Sequence, residues 1–283
     1  MNNIELFKQY IPMLDEVYKN ASLTAILDGA SELARQGANA NELIIPKMDM
    51  DGLADYSRNG GYVNGDVTLT NETVACNYDR GRMFTVDALD NIETASIAFG
   101  RLASEFIRTK VVPEMDAFRI AEYAKNAGVQ MENTFATGEE VITALRTATN
   151  QMDEAEVPTE DRVLFITPTL KGMIDDLDSY KSKEVLARFS AVVQVPQTRM
   201  YTAIDLNPDG PGGYTKKADG KNVNFLIAHK PAIIQFPKRT VNKVISPEEN
   251  QTSDGWKFGF REVGIADVYE NKTYGVVLSN DAQ

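Results

Sequence analysis

Between residues 41 and 89 the sequence alternates like a β-hairpin but supplies very little to bury. Leu43-Ile44-Ile45 is a short apolar run, and Val67-Thr68-Leu69-Thr70 alternates at the period of a half-exposed strand. Between them, Arg58-Asn59-Gly60-Gly61-Tyr62-Val63-Asn64-Gly65-Asp66 places three glycines and two asparagines in one turn-rich stretch. Asp79-Arg80-Gly81 reads as a further turn ahead of a strand from Met83 to Val86. A two-stranded ribbon with so few large apolar side chains is marginal alone. It has to project from a body and be supported by something else.

The body reads as α+β. Ile92, Ile97, Phe99, Leu102, Ala103, Phe106, Ile107, Phe118, Ala121 and Ala124 form the apolar stripe of a helix over 91–127. Asn126-Ala127-Gly128 stops it. Unbroken it would be about 55 Å long, but Pro113 should kink or divide it near Val111-Val112. Thr137-Gly138-Glu139-Glu140 fits a capping box for a helix carrying Val141, Ile142, Leu145, Ala148 and Met152. Val163-Leu164-Phe165-Ile166 reads as a fully buried strand, Thr167-Pro168 as the start of a helix, and Ser182 to Phe189 as a shorter helix.

Residues 207–221 form a surface excursion tipped by Pro208-Asp209-Gly210-Pro211-Gly212-Gly213. Strands then dominate. Val223, Phe225 and Ile227 fall on one face by period two, as do Trp256, Phe258 and Phe260. Asp254-Gly255 marks a turn between long strands, and Tyr274, Val276 and Leu278 form the last strand. Ahead of all this, residues 1–40 read as helical pieces. Ile4, Phe7, Ile11, Leu14 and Tyr18 share one helix face, and Pro12 divides it. Leu23, Ile26, Leu27, Ala30, Leu33 and Ala34 continue the pattern past an interruption at Gly29. Such an arm needs a surface, on its own body or on a neighbour.

With 283 residues the chain is near the size at which single cores divide, so two lobes are expected. Its 29 basic and 41 acidic residues leave a net charge of −12, which argues against a dedicated nucleic-acid binder. Lys216-Lys217 and the stretch Lys238-Arg239 to Lys243 read as solvated faces. The start lacks a secretory signal and no apolar run matches a membrane span, so a soluble protein of a reducing cytoplasm is expected.

Catalytic signatures are weak throughout. One histidine, His229, excludes any site needing two, and one cysteine, Cys76, excludes an internal disulfide or a cysteine zinc site. Cys76 reads as a small packed residue in a strand of the projecting segment. Asp49-Met50-Asp51-Gly52 with Asp55 resembles part of a calcium loop, but its glycine is misplaced and the distal glutamate is missing. The Gly-Pro-Gly-Gly tip lacks the helix and lysine of a phosphate loop. Asp153, Glu154, Glu156, Glu160 and Asp161 read as a solvated loop. No catalytic, cofactor-binding or metal-ligating residue is assigned, no cofactor is implied, and the chain is not expected to be an enzyme.

The order of these elements resembles the major capsid proteins of tailed bacteriophages, the Hong-Kong-type capsid fold, in its prophage-like branch. Gly52-Leu53-Ala54-Asp55-Tyr56-Ser57-Arg58 with Gly61-Tyr62 is similar to the entry of that family's extended loop. Asp79-Arg80-Gly81-Arg82-Met83-Phe84, with Val86-Asp87, Asp90 and Glu93-Thr94, is similar to the exit into its spine helix. Val111-Val112-Pro113-Glu114-Met115-Asp116-Ala117 with Arg119 resembles a segment of that helix. Val163 to Pro168 resembles the first axial strand and helix, and Ala232-Ile233-Ile234 with Pro237-Lys238 the return strand.

The resemblance implies an α+β fold with an N-terminal arm (1–40), an extended β-hairpin loop (41–89) and a peripheral domain with a long spine helix (90–136). An axial α/β domain (137–230), peripheral return strands (231–264) and a C-terminal axial strand (265–283) would follow. It further implies self-assembly into pentamers and hexamers of an icosahedral head shell, made in the host bacterial cytoplasm, around double-stranded DNA bound without sequence specificity. Portal and decoration proteins would be further partners, and an arm starting at Met1 implies a separate scaffold or none. No membrane is involved. Inter-subunit contacts would fall on Arg58, Tyr62, Asp66, Arg80 and Arg82 and on Phe7 and Leu14 of the arm. Between Met48 and Asp87 there is no lysine, so the covalent cross-link of some family members is not expected. Three rivals stand beside this: an encapsulin-type compartment enclosing an enzyme, a carboxylate-based hydrolase, and a minor virion component.

Overall fold

The computed structural model describes residues 22–29, 35–36, 42–87, 103–177 and 180–282. The readings of residues 1–21, with Phe7 and Leu14, of residues 30–34 and of the helix before Ala103 lie outside these ranges. A 3₁₀ turn, Ala25–Leu27, comes first, followed by β1 (Arg35–Gln36), β2 (Glu42–Met50), β3 (Val67–Ala75) and β4 (Tyr78–Asp87). After these come helix α1 (Val112–Lys125), β5 (Val129–Glu132), α2 (Gly138–Glu154), β6 (Arg162–Ile166), α3 (Pro168–Asp175), α4 (Tyr180–Leu186) and β7 (Ala191–Gln194). The remaining strands are β8 (Ile204–Leu206), β9 (Tyr214–Lys216), β10 (Val223–His229), β11 (Ile233–Ile245), β12 (Gly255–Val268) and β13 (Val276–Asn280).

Five strands in the order β5-β13-β10-β6-β7 make the central sheet, with β10 antiparallel to both its neighbours. It is covered on both faces, so its inner strands carry no polar alternation. Val163 and Phe165 of β6 pack with Met115, Phe118, Ile120 and Tyr123 of α1. Leu164 and Ile166 pack the other way, against Val141, Leu145 and Ala148 of α2, Leu170 of α3 and Val185 of α4. Phe225 and Ile227 of β10 join this second face, but Val223 joins the first. A bulge between Val223 and Phe225 shifts the register, so the simple alternation read from the sequence fails there.

A second sheet, β11-β12-β4, is antiparallel throughout. Here the sequence reading needs correction. Asp79-Arg80-Gly81 is no turn but the interior of β4, paired with Arg261 to Val263 of β12. The chain passes from the first strand set to this sheet at Cys76-Asn77, outside any strand, where Asn77 bonds both the carbonyl and the N–H of Ala266. This sheet packs Phe258 and Phe260, with Phe84 and Val86, on Ala103, Ile107, Val111 and Val112.

Those last four residues belong to a helix that runs from Ala103 to Lys125, with a π turn at Ile107–Val111. Pro113 explains the turn. It has no N–H to offer Thr109, and its ring would meet that carbonyl in a regular α turn. The division predicted from Pro113 thus takes the form of a widened turn ending at Val111. Within residues 23–27 the helical reading is met only by the 3₁₀ turn Ala25–Leu27, and Arg35–Gln36 is a strand on β2. Leu27 is drawn into the core instead.

The capping box of α2 is present: Glu140 N–H donates to Thr137 Oγ1, and Thr137 N–H to the Glu140 carboxylate. Gly138 opens that helix where a Cβ would stand 2.2 Å from the Met173 carbonyl oxygen. At the helix's other end, Arg162 is 1% exposed and donates to the carbonyls of Val157 and Pro158 while pairing with Asp153 at 2.7 Å. The acidic loop is therefore not wholly solvated: Asp153 neutralises a buried guanidinium.

His229 lies opposite Arg162 in the β10–β6 ladder. Burial, then the charges of Arg162 and Lys272, hold its imidazole below the ordinary range, against a weaker opposing pull from Asp161.

Two outcomes follow. Gly138→Ala should lower stability by about 1–3 kcal/mol through overpacking against Met173, read as a fall in Tm. For His229, the unfolded chain binds its proton at a higher pH than the native one. Stability should therefore fall as pH drops below the unfolded value of about 6.5, and His229→Gln should flatten that slope in melts between pH 7 and 5.

Candidate assembly surfaces

The chain segment 22–29 is stapled to α1 by one carboxylate. Asp116 is fully buried and accepts five hydrogen bonds: from Ser22 Oγ, Leu23 N, Thr24 N, Thr24 Oγ1 and Arg199 Nη1. Thr24 Oγ1 in turn accepts from Arg119 Nη1, whose guanidinium stands 4.0 Å from Asp28. Gln235 of β11 donates to the Thr24 carbonyl and to Asp28, and accepts from Tyr123 OH. Burial pushes the Tyr123 phenol well above its usual range, so it remains a donor. Gly29 passes the ring of Phe236 where a Cβ would be 2.9 Å away. The described part of the arm thus packs on its own body.

Below this, β4 is tied to the 207–213 excursion. Glu114 accepts from Tyr78 OH and Arg80 Nε, and Arg80 Nη2 donates to the Asn207 and Gly213 carbonyls. Burial and the neighbouring Glu114 raise the Tyr78 phenol far above its ordinary range. Arg82 Nη2 donates to the Gly210 carbonyl. Between β4, the π turn and this excursion lies an open groove of about 1220 Å³, with Phe84, Phe106, Val111 and Phe260 on its apolar side.

The ribbon β2–β3 contrasts with both. Its root is fixed: Val74 is buried with Ile234 and Ile265, beside Asn77. Among the described residues β1 pairs only with Leu43 and Ile44, and from Ile45 onward β2 pairs with β3 alone. From Met50 to Asn71 every described residue except Gly61 is exposed. The rings of Tyr56 and Tyr62 meet at a tilt with centroids 5.0 Å apart at the tip, and Asp66 N–H is held by Asp51 Oδ2. Asp49-Met50-Asp51 is therefore the end of a strand and its tip cap.

Of the residues singled out by sequence, Arg58, Tyr62 and Asp66 share the exposed tip, whereas Arg80 and Arg82 spend hydrogen bonds inside the subunit. Asp116, Glu114 and Arg199 went unrecognised as sites. The available signal was a carboxylate within the buried stretch Met115-Asp116-Ala117 of a helix. Cys76 is half-buried beside Val74, and burial raises its thiol pKa. Among the described residues no three His, Cys, Asp or Glu side chains converge, and no helix is long and apolar enough to cross a membrane.

No family model matches the sequence, and no curated protein matches it. Solved structures do. A chain from Mycobacterium phage Che8 is 15% identical, with 89% of each chain covered and a TM-score of 0.60. The capsid structure of cyanophage P-SCSP1u gives 13% identity, 88% of this chain, 86% of that chain and a TM-score of 0.57. The virus-like particle from Pyrococcus furiosus gives 12% identity, coverage of 97% and 99%, and a TM-score of 0.62. At these identities the likeness establishes the fold. The chain has the α+β architecture of phage capsid structures.

Asp116→Ala should release the arm segment, since four of the five donors come from residues 22–24. The expected cost is about 3–5 kcal/mol, as for other buried charge partners removed singly. Faster amide exchange at Leu23 and Thr24 with little change in β6 would report it.

Proposed function

We propose that the chain is a major capsid protein that self-assembles into an icosahedral, DNA-enclosing head shell. One observation carries the reading: a well-rooted ribbon whose shaft and tip are solvent-exposed over more than 20 consecutive residues, 50–71, with Gly61 alone partly covered. A two-stranded ribbon gains too little from its own side chains to be retained as an ornament. Its open backbone edges also invite pairing with other chains. Supported by a neighbour in a closed lattice, it becomes a strap. The capsid structures named above share the fold over nearly nine-tenths of the chain or more.

On this reading 1–40 is the arm and 41–89 the extended loop. Residues 90–136 and 231–264 form the peripheral domain, and 137–230 with 265–283 the axial domain. Arg58, Tyr62 and Asp66 face a neighbouring subunit, and Phe7 and Leu14 of the arm brace another. Arg82 remains at the rim of the groove, and Arg80 acts within the subunit. The work is contact, not catalysis, and closure multiplies many modest contacts into a stable shell. Portal, scaffold or decoration proteins would complete the virion, whose DNA is held without sequence readout. Assembly would take place in the host bacterial cytoplasm.

Expression of the chain alone or with its genomic neighbours, followed by electron microscopy, tests this. Closed particles with nuclease-protected DNA are expected; a co-purifying enzyme inside them would favour a compartment, and a stable monomer at high concentration would defeat both. Replacing residues 52–65 by a two-residue Asn-Gly turn should leave the body folded, with its Tm changed by no more than a few degrees, yet abolish particles.

A further inference from the structure

The sheet β11-β12-β4 has two edges, and they differ in charge. On β4, Asp79 pairs with Arg261, Arg80 with Glu114, and Arg82 donates to the Gly210 carbonyl. That edge spends its charges inside the subunit. On β11, Arg239 and Lys243 are exposed and form no ion pair with any described residue. Beyond the bulge between Pro237 and Arg239, β11 runs on to Ile245 with β12 on one side and no described strand on the other. At about 3.4 Å per residue this free edge is about 20 Å long.

Period two puts Arg239, Val241, Lys243 and Ile245 on one face, beside Val263, Arg261, Gly259 and Lys257 of β12. Cation and half-buried apolar side chain therefore alternate along the edge strand. The acids around it are accounted for. Asp79 is held by Arg261, and Asp87 ends the ladder opposite Gly255. Glu248, Glu249 and Asp254 lie in the turn between β11 and β12, and Glu262, opposite Thr240, is buried under the other face. Of the further cations, Lys257 donates to Thr252, and Lys238 sits in the bulge with its ammonium buried.

A long free edge is ordinarily blunted by proline, by a bulge or by charge. Pro237 and the bulge do this near the root of β11. Its outer half has charge alone, and charge selects where a proline only blocks: it repels cationic strands and favours acidic ones. An added strand would gain main-chain hydrogen bonds from the edge and side-chain pairing from the two cations. Nucleic acid fits less well. The phosphates of a duplex would run past this short edge toward the acidic turn of a subunit whose net charge is −12.

We propose that the outer half of β11 receives an added strand from a different protein, with carboxylates opposite Arg239 and Lys243 and apolar side chains opposite Val241 and Ile245. This goes beyond the shell reading and does not depend on it, since the edge belongs to the single subunit.

The test titrates the full chain with a fluorescein-labelled peptide, Thr-Glu-Thr-Val-Thr-Glu-Thr-Val-Thr, and reads anisotropy. It should bind about tenfold or more tightly than the peptide with both glutamates changed to lysine. It should likewise outbind Thr-Glu-Thr-Val-Glu-Thr-Thr-Val-Thr, which keeps the composition but moves one carboxylate to the other face. Amide exchange at Arg239 to Ile245 should slow on binding. Arg239→Glu combined with Lys243→Glu should reverse the preference toward the lysine peptide, a gain that an unfolded variant could not show. No binding, equal binding of the two glutamate peptides, tighter binding of a short DNA duplex, or no reversal overturns the proposal. So does slow exchange at these amides when the protein alone self-associates, which would assign the edge to a second copy. Each of these results leaves the shell reading standing, because none of them measures particle formation.

Discussion

A buried carboxylate fixes how the pieces of this subunit relate. Taking Asp116 out of water would cost several kcal/mol if it were left unpartnered, and its five donors offset that cost. The donors come from two places in the chain, residues 22–24 and the stretch after β7 through Arg199, and Arg119 of α1 joins one bond further through Thr24. Gln235 brings in β11 from the second sheet. Arm, helix and both sheets therefore meet at one polar knot. None of them can shift without orphaning the buried charges of Asp116 and Arg119.

That rigidity gives meaning to the exposed ribbon. Asn77 holds the ribbon's root by two hydrogen bonds to Ala266, and Val74 seals it with Ile234 and Ile265. Farther along β4, Arg80 and Glu114 lock the strand to the helix and to the 207–213 excursion. A firm root sets where the ribbon leaves the body, while the unsupported shaft and tip gain their order from whatever they contact.

What the sequence disclosed and what it hid divide by range. The capping box at Thr137, the buried run Val163 to Ile166 and the turn-rich stretch Arg58 to Asp66 are local, and each was legible because its chemistry lies within a few residues. The Val223 bulge, the strand role of Asp79 to Gly81 and the knot at Asp116 depend on partners far away in the chain: Asn280, Arg261 to Val263, and residues 22–24. Pro113 stands between these cases. Its disruption was readable, but whether the helix would break, kink or widen was decided by packing of Ile107 and Val111 under Phe258 and Phe260. The ribbon's exposed shaft was foreseen by subtraction, from the shortage of anything to bury. Its two-faced character, with Met48 facing Leu69 and Met50 facing Val67, needed the register.

An exposed Met-Val-Leu face on an open-edged ribbon is a hazard for any protein made in quantity. Here the same segment carries four aspartates, and the subunit carries a net charge of −12. Like-charge repulsion keeps free copies apart at distances within the roughly 8 Å screening length of physiological salt. The apolar face alone cannot select a partner, because any exposed hydrophobic surface would satisfy it. Aspartates beside it restrict the choice to surfaces that combine apolar area with local positive charge. Repulsion then acts as the selector: it penalises disordered contact between copies more than it penalises the one docking that pairs the charges. Assembly of a shell requires this bias, since a wrong contact made early is repeated at every later subunit.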